Sequence, residues 1–422
     1  NLIFQLMNEI NLMKIDWTSV LILIILILLG LGNIYSSSQA YLLESLMTLN
    51  PFTKQLAFVI MSIFIFLFIQ ILPISFFIKY SSILYVFSII SLIGLFIFGH
   101  KVNGALAWYQ FNGFSMQPSE FAKPITALAL AKYLSDINSN LKTVKTQFYS
   151  FLIVLIPITL IVLQPDPGTI IIFLSFVLVF FKVGLPSIYM NLLVGFIILF
   201  FATILLSPKY VMIFLALSIL FLLLINKRKK NIMKKTLIYG AIFSVFIFSV
   251  DFIFNNVFEQ RHRDRFNIVI GVEQDFRGSG YNTNQSKIAF ASGGIFGEGF
   301  LKGSQTRGKF VPEQHTDYIF STVGEEWGFL GASFVILLYT YLMLRISKRA
   351  DLQKNLFSKI FSYSTVTIIF THFFINIGMV LGLVPTIGIP LPFLSYGGSS
   401  LMSFILLFSI YIKLDSERRS RW

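Results

Sequence analysis

Val20-Leu21-Ile22-Leu23-Ile24-Ile25-Leu26-Ile27-Leu28-Leu29-Gly30-Leu31, running on to Ile34, is the stretch that decides the fold. It holds no charge and no proline. A helix of roughly 20 such residues crosses the ~30 Å hydrocarbon core of a bilayer. No small-residue cleavage site follows, so it reads as an anchored span and not as a signal peptide. The pattern then recurs along the chain. Of the 422 residues, 56% are hydrophobic, 48 are Phe and only 12% are charged, against about 25% charged in a soluble domain. The expected fold class is an all-α polytopic membrane protein of about 10–12 transmembrane helices with one large extracytoplasmic loop.

Apolar runs and their polar breaks predict twelve spans, over 18–36, 54–74, 78–99, 119–135, 148–164, 168–184, 187–206, 209–226, 236–255, 317–345, 358–383 and 395–413. Basic residues orient them. With Lys14 inside, the inner loops hold Lys79, Lys142, Lys145, Lys182, the Lys227-Arg228-Lys229-Lys230 run, Arg345, Lys348, Arg349, Lys354 and the Arg418-Arg419 tail. Both termini are then cytoplasmic. The net charge of +14 is explained by these loops and by attraction to anionic lipid, not by nucleic acid. The chain has no cysteine and four histidines, which excludes a disulfide framework or thiolate metal site and leaves little scope for a His-rich one.

One stretch does not belong in lipid. Asn256–Thr316 carries eight Lys/Arg, six Asp/Glu and nine glycines, and the topology places it outside. Long loops between spans are seldom mere connection. The reading is a single membrane domain, 1–422, with 256–316 as its large extracytoplasmic loop, built of a short helix or two among glycine turns.

Three further polar elements fall at the outer ends of their spans. In Gln117-Pro118-Ser119-Glu120-Phe121-Ala122-Lys123, Pro118 suits a first helical turn. Glu120 and Lys123 are three apart and share a face. They are either a structural ion pair or part of a polar outer cavity. In Gln164-Pro165-Asp166-Pro167-Gly168-Thr169, Asp166 either caps the next helix or serves a site. In Val384 to Ser400, three prolines break the helix, and Ser395, Gly397 and Gly398 allow close backbone approach or an anion nest. That segment is a cavity-lining element or a tight packing joint.

These motifs resemble the SEDS family (shape, elongation, division, sporulation). The matching residues are Phe114–Glu120, Gln164–Thr169, Gly280-Tyr281-Asn282 through Gly299, Pro312–Phe320, Gly324-Glu325-Glu326-Trp327-Gly328 and Pro390–Ser400, in the family's order. Gln285–Ala289 and the short C-terminal tail are more similar to the elongation branch than to the division branch. The resemblance implies a peptidoglycan glycosyltransferase of the bacterial inner membrane acting on lipid II. It implies a class B penicillin-binding transpeptidase and other elongation-complex membrane proteins as partners. It puts the family's essential loop aspartate at Asp275, in Asp-x-x-Gly-x-Gly-Tyr, and its polar pair at Glu120 and Lys123. The family usually has ten spans, so the surplus falls at 187–226. The family's paired arginines before Trp108 are absent.

The chemistry then assigns roles. A lipid-linked pyrophosphate is already a good leaving group, so the reaction needs a base at the attacking hydroxyl and positive charge at the pyrophosphate. Asp275 is the expected base. Arg265 and Lys287 are the preferred cations, and His315 and Asp317, where the loop re-enters the membrane, either close the site or pair structurally. A divalent cation, Mg2+ or Mn2+, bridging Asp275 to pyrophosphate is possible chemistry without a ligand cluster that demands it. The rival functions are a lipid II flippase, a division-type polymerase and a non-catalytic scaffold.

Overall fold

The computed structural model describes residues 15–38, 50–102, 104–111, 114–136, 141, 143–227, 229–257, 260–271 and 280–416. Compactness divides the chain into two units, Asn1–Gly184 with Asn282–Trp422, and Leu185–Tyr281. Among the described residues nine helices are long and apolar enough to cross a membrane. The more polar helix Pro118–Asp136 and the short helices Pro167–Leu174 and Phe176–Val183 supplement them.

The larger unit opens with α1 (Trp17–Ser38), α2 (Pro51–Ile71) and α3 (Ile74–Phe98). A small antiparallel sheet follows, β1 (His100–Val102), β2 (Ala105–Phe111) and β3 (Phe114–Met116). The apolar-run reading contains no strands: β1 and β3 have three residues each, too few for a periodicity, and β2 (Ala-Leu-Ala-Trp-Tyr-Gln-Phe) does not alternate polar with apolar residues. Next come α4 (Pro118–Asp136), α5 (Val144–Leu163), α6 (Pro167–Leu174) and α7 (Phe176–Val183). After the second unit the chain returns with α11 (Tyr281–Ser292), α12 (Ser304–Arg307), α13 (Ile319–Asp351), α14 (Leu356–Val380) and α15 (Gly398–Ser416). Helices α14 and α15 are buried over most of their length, and α4 packs on both. Four hydroxyls in α14, those of Ser362, Ser364, Thr365 and Thr371, donate to its own backbone, Ser364 to Ile360 O at 2.9 Å and Thr371 to Thr367 O at 2.8 Å. That makes a polar core helix tolerable where no water reaches.

Two prolines inside helices show the same accounting. Pro124 in α4 offers no N–H to the Glu120 carbonyl, and Ser403 of α15 donates to that oxygen at 2.6 Å instead. Pro157 in α5 leaves Ile153 O without its helical donor, and the Tyr85 hydroxyl of α3 fills it at 2.8 Å. A proline frees a carbonyl, and a neighbouring helix uses it as a tether.

The polar loop enters α13 through a break. Gly328, at φ 65, interrupts that helix. The Glu325 and Glu326 carbonyls accept from Glu298 N at 2.9 Å and Gly299 N at 3.1 Å, while Phe329 N and Leu330 N donate to Gly294 O and Ile295 O at 2.9 and 3.2 Å. Residues 294–299 thus take over hydrogen bonds that an unbroken helix would have made with itself. Glu325 then caps α12, accepting from Gln305 N at 2.6 Å and Thr306 N at 3.1 Å.

At the opposite end of α13, Arg345 holds Asp16 through Nε at 2.9 Å, and Arg349 lies 3.2 Å from Asp16 and also binds Asp415 of α15. Burial alone would raise the Asp16 carboxyl, but the hydrogen bonds from Arg345 and Ser19 outweigh it and hold the group below the usual carboxylate range. A depressed folded-state pKa stabilises the fold above the unfolded value, about pH 4, and that contribution fades as pH falls through the folded value. Melting temperature measured from pH 7 to 3 should therefore drop on the acid side. Asp16→Asn should lower the plateau and flatten the drop. An unchanged acid limb in the variant would rule out Asp16 as its source.

The second unit holds α8 (Ser187–Ile225), broken at Ser207 ahead of Pro208, then α9 (Lys230–Phe252), a π-helical turn (Ile253–Val257) and α10 (Gln260–Ile270). Two of the predicted spans, 187–206 and 209–226, share α8. Phe196 packs on Phe243 and Phe246 with ring centroids 5.5 and 4.6 Å apart, and Phe266 of α10 lies against Phe200 and Phe254. The 256–316 stretch is thus more helical than predicted, contributing α10, α11 and α12.

Candidate functional site

The first two turns of α4 bury both charges that the sequence singles out. Lys123 Nζ lies 2.8 Å from Glu120 Oε1. A third group joins them: His372 of α14, with Nε2 2.9 Å from the ammonium and Nδ1 3.1 Å from Pro390 O. Lys123 also sits over the Phe404 ring of α15, 5.3 Å from its centroid, a favourable place for a cation. All three polar side chains are buried. A charge so placed is costly and must be paired. Glu120 Oε2, the second carboxylate oxygen, has no protein hydrogen-bond partner.

Beside this cluster three helix N-termini meet at one residue. Gln117 precedes α4. Its backbone N–H donates to Ser399 in the first turn of α15 at 3.1 Å, and its side chain donates to Asp166 Oδ2 at 3.0 Å. Asp166 caps α6, accepting from Thr169 N at 3.1 Å and Thr169 Oγ1 at 2.8 Å. Both sequence readings of Asp166 therefore apply: it caps a helix, and it lines the polar patch. Helix N-termini present partial positive charge and N–H groups, which suits anions.

The segment between α14 and α15 closes this region as a buried strap. Ser395 Oγ donates to Thr316 O at 2.6 Å and accepts from Leu391 N at 2.8 Å, and Tyr396 N donates to His315 O at 2.8 Å. Asn376 ties Asp317 O and Ile389 O, both at 2.7 Å. Gly397 N is committed to Gln55 Oε1 at 3.1 Å, and a Cβ on Gly398 would lie 2.6 Å from the Phe58 ring. Burial pushes the His315 imidazole below its ordinary value, opposed by the Glu313 carboxylate. Lys287 is exposed on α11, its stem lying over Gly382 so closely that a Cβ there would be 2.1 Å from Lys287 Cε.

The structure thus brings Glu120, Lys123, Asp166, His315, Ser395, Gly397 and Gly398 to linked elements of one unit, with Lys287 at the end of the strap. Arg265 lies on α10 in the other unit. Asp275 lies outside the described residues. The sequence reading missed His372, whose one signal was a histidine four residues before Asn376 within a predicted span. It missed Ser403 too, which only the proline in α4 makes necessary. Among the described residues no three His, Asp or Glu gather; the expected bridging cation falls on Asp275, outside them.

Fold and site define a class: a polytopic membrane protein whose helical core holds a paired cation beside converging helix N-termini. The family model for FtsW, RodA and SpoVE, described as cell cycle proteins, matches residues 16–212 and 187–420, and the chain belongs to that family. The two matches overlap at 187–212, on α8. A relative named "Peptidoglycan glycosyltransferase RodA" of Treponema pallidum (strain Nichols) is 29% identical, covering 96% of this chain and 98% of its own. "Probable peptidoglycan glycosyltransferase FtsW" of Wigglesworthia glossinidia brevipalpis is 30% identical over 98% of this chain and 97% of its own. A solved structure of a peptidoglycan synthase complex shares the fold at TM-score 0.70 and 24% identity, covering 96% of this chain and 98% of that one. Rod shape determining protein RodA of Thermus thermophilus does so at TM-score 0.62 and 22% identity, with the same coverage.

Proposed function

We propose that this chain is a peptidoglycan glycosyltransferase that polymerises lipid II during cell-wall elongation. It works in the bacterial cytoplasmic membrane, with both termini inside and the 256–316 loop outside. The observation that carries the reading is the buried Lys123–Glu120 pair beside three helix N-termini joined through Gln117. Such a place suits a pyrophosphate whose lipid tail stays in the bilayer. The names of the relatives support the same chemistry. A class B penicillin-binding transpeptidase and other elongation-complex membrane proteins are the partners this function calls for.

In the reaction a sugar hydroxyl attacks the anomeric carbon of a second lipid-linked saccharide. The new C–O bond forms as the bond to pyrophosphate breaks. The proton goes to Asp275, and the electron pair leaves with undecaprenyl pyrophosphate. Lys123 and the N–H groups at the three helix starts meet the charge gathering on that leaving group. Arg265 and Lys287 are further cations for it, and His315, neutral near pH 7, helps close the strap.

The test is polymerisation of lipid II by purified protein in detergent, where no sidedness exists. Wild type should yield glycan strands, and Asp275→Ala should lose at least ~10² in rate. Equal rates would remove Asp275 as base. No polymer from folded wild type would favour a flippase. Rates with chelator and with added Mg2+ or Mn2+ test the metal expectation.

A further inference from the structure

We propose that His372 is a positioning residue for the glycosyl transfer: its neutral imidazole fixes the Lys123 ammonium so that the remaining N–H of that ammonium faces the leaving pyrophosphate. The inference rests on the reading of Lys123 given above. It adds a residue that no motif points to.

The hydrogen-bond inventory sets the state of the ring. Lys123 is a donor only, and Pro390 O is an acceptor only. With Nε2 2.9 Å from Lys123 Nζ and Nδ1 3.1 Å from Pro390 O, the network is satisfied by one form, the neutral Nδ1–H tautomer. An imidazolium would set an N–H against an ammonium. The ring is held edge-on to Phe404, centroids 4.8 Å apart. The groups facing it are therefore Lys123 with its partner Glu120, the Pro390 carbonyl and the Phe404 ring.

An ammonium carries three N–H bonds at tetrahedral angles. One partner leaves it free to swing on a flexible four-carbon stem. Two partners on different elements, Glu120 on α4 and His372 on α14, set both its place and its orientation, and hence the direction of the third bond. Packing alone does not account for the ring. A leucine would fill the space without the cost of burying two polar nitrogens. Pro390 belongs to the strap, so the same ring registers the strap against Lys123. Preorganised cations of this kind act most where charge develops in the transition state. Loss of the ring should therefore lower kcat more than it raises KM.

The chemistry required of position 372 is one acceptor and one donor, which glutamine supplies on a single side chain. Initial polymerisation rates against lipid II concentration, with melting temperatures, should be measured for His372→Gln, His372→Leu and Lys123→Met of the full chain. His372→Gln should stay within about threefold of wild type, and His372→Leu should lose about 30-fold or more in kcat. Glutamine cannot shuttle protons, so an inactive His372→Gln that melts like wild type would overturn positioning in favour of proton transfer. A folded His372→Leu at wild-type rate, with Lys123→Met inactive, would overturn the inference and leave the reading of Lys123 standing. Active Lys123→Met would remove both. Should the leucine variant not fold, His372→Phe, which keeps a ring against Phe404, takes its place with the same two outcomes.

Discussion

Lys123→Met will lower lipid II polymerisation on the order of 10³-fold, the upper end for one oriented donor at a charge-developing site, and will destabilise the protein by about 3–5 kcal/mol. The second effect has a specific cause. Lys123 and Glu120 are both buried, 2.8 Å apart. Removing the ammonium leaves the buried Glu120 carboxylate without its charge partner. The two effects separate in a double-mutant cycle. Glu120→Gln with Lys123→Met takes out both charges together, so much of the stability should return, because a neutral pair of similar shape costs less to bury. Activity should not return, because no cation is left. Melting temperature and initial rate, measured on all four proteins, check this. A double variant that regains activity along with stability would make the pair a structural staple and nothing more.

Gly328→Ala will cost roughly 2–5 kcal/mol and will release the polar loop from α13. Gly328 stands at φ 65, where a side chain is strained, and a Cβ would lie 2.3 Å from Gly297 N and 2.6 Å from Ile295 O. Both clashes are with backbone, which cannot rotate away. They fall where residues 294–299 replace the helix's own hydrogen bonds, so the cost spreads to the whole junction. Gly32→Ala is the control: a Cβ there meets only Phe300, at 4.0 Å. Unfolding followed by tryptophan fluorescence reports on Trp327 beside the break. Equal melting temperatures for the two variants would show that the junction is not the loop's anchor.

Local chemistry was readable from the chain. The i, i+3 spacing of Glu120 and Lys123 requires a shared helix face, and they pair. Asp166 before Pro167-Gly168-Thr169 has the composition of a cap, and it caps. Pro118 begins α4, as its fixed φ and missing N–H favour. Pairings across long separations were not readable. His372 meets Lys123 from 249 residues away. Gln117 meets Ser399 from 282 away. No periodicity encodes such meetings. The strap is a similar case: three prolines forecast an irregular segment, but not that Ser395, Tyr396 and Asn376 would sew it to residues 315–317.

The chain's apolar runs alone establish that this protein lies in a membrane as a bundle of helices. Water is absent there, so a backbone donor or acceptor finds its partner within its own helix wherever no proline intervenes, and a continuous apolar run leaves a helix as the solution. The chain also determines which local turns and pairs form, since these depend on neighbours three or four residues away. Helix packing settles which carbonyl freed by a proline meets which hydroxyl, that a loop completes the broken α13, and that a histidine stands beside the buried lysine. Those contacts depend on how apolar helices pack. Many helices present nearly equivalent apolar faces to one another, and the few polar groups find their partners only once the packing is set.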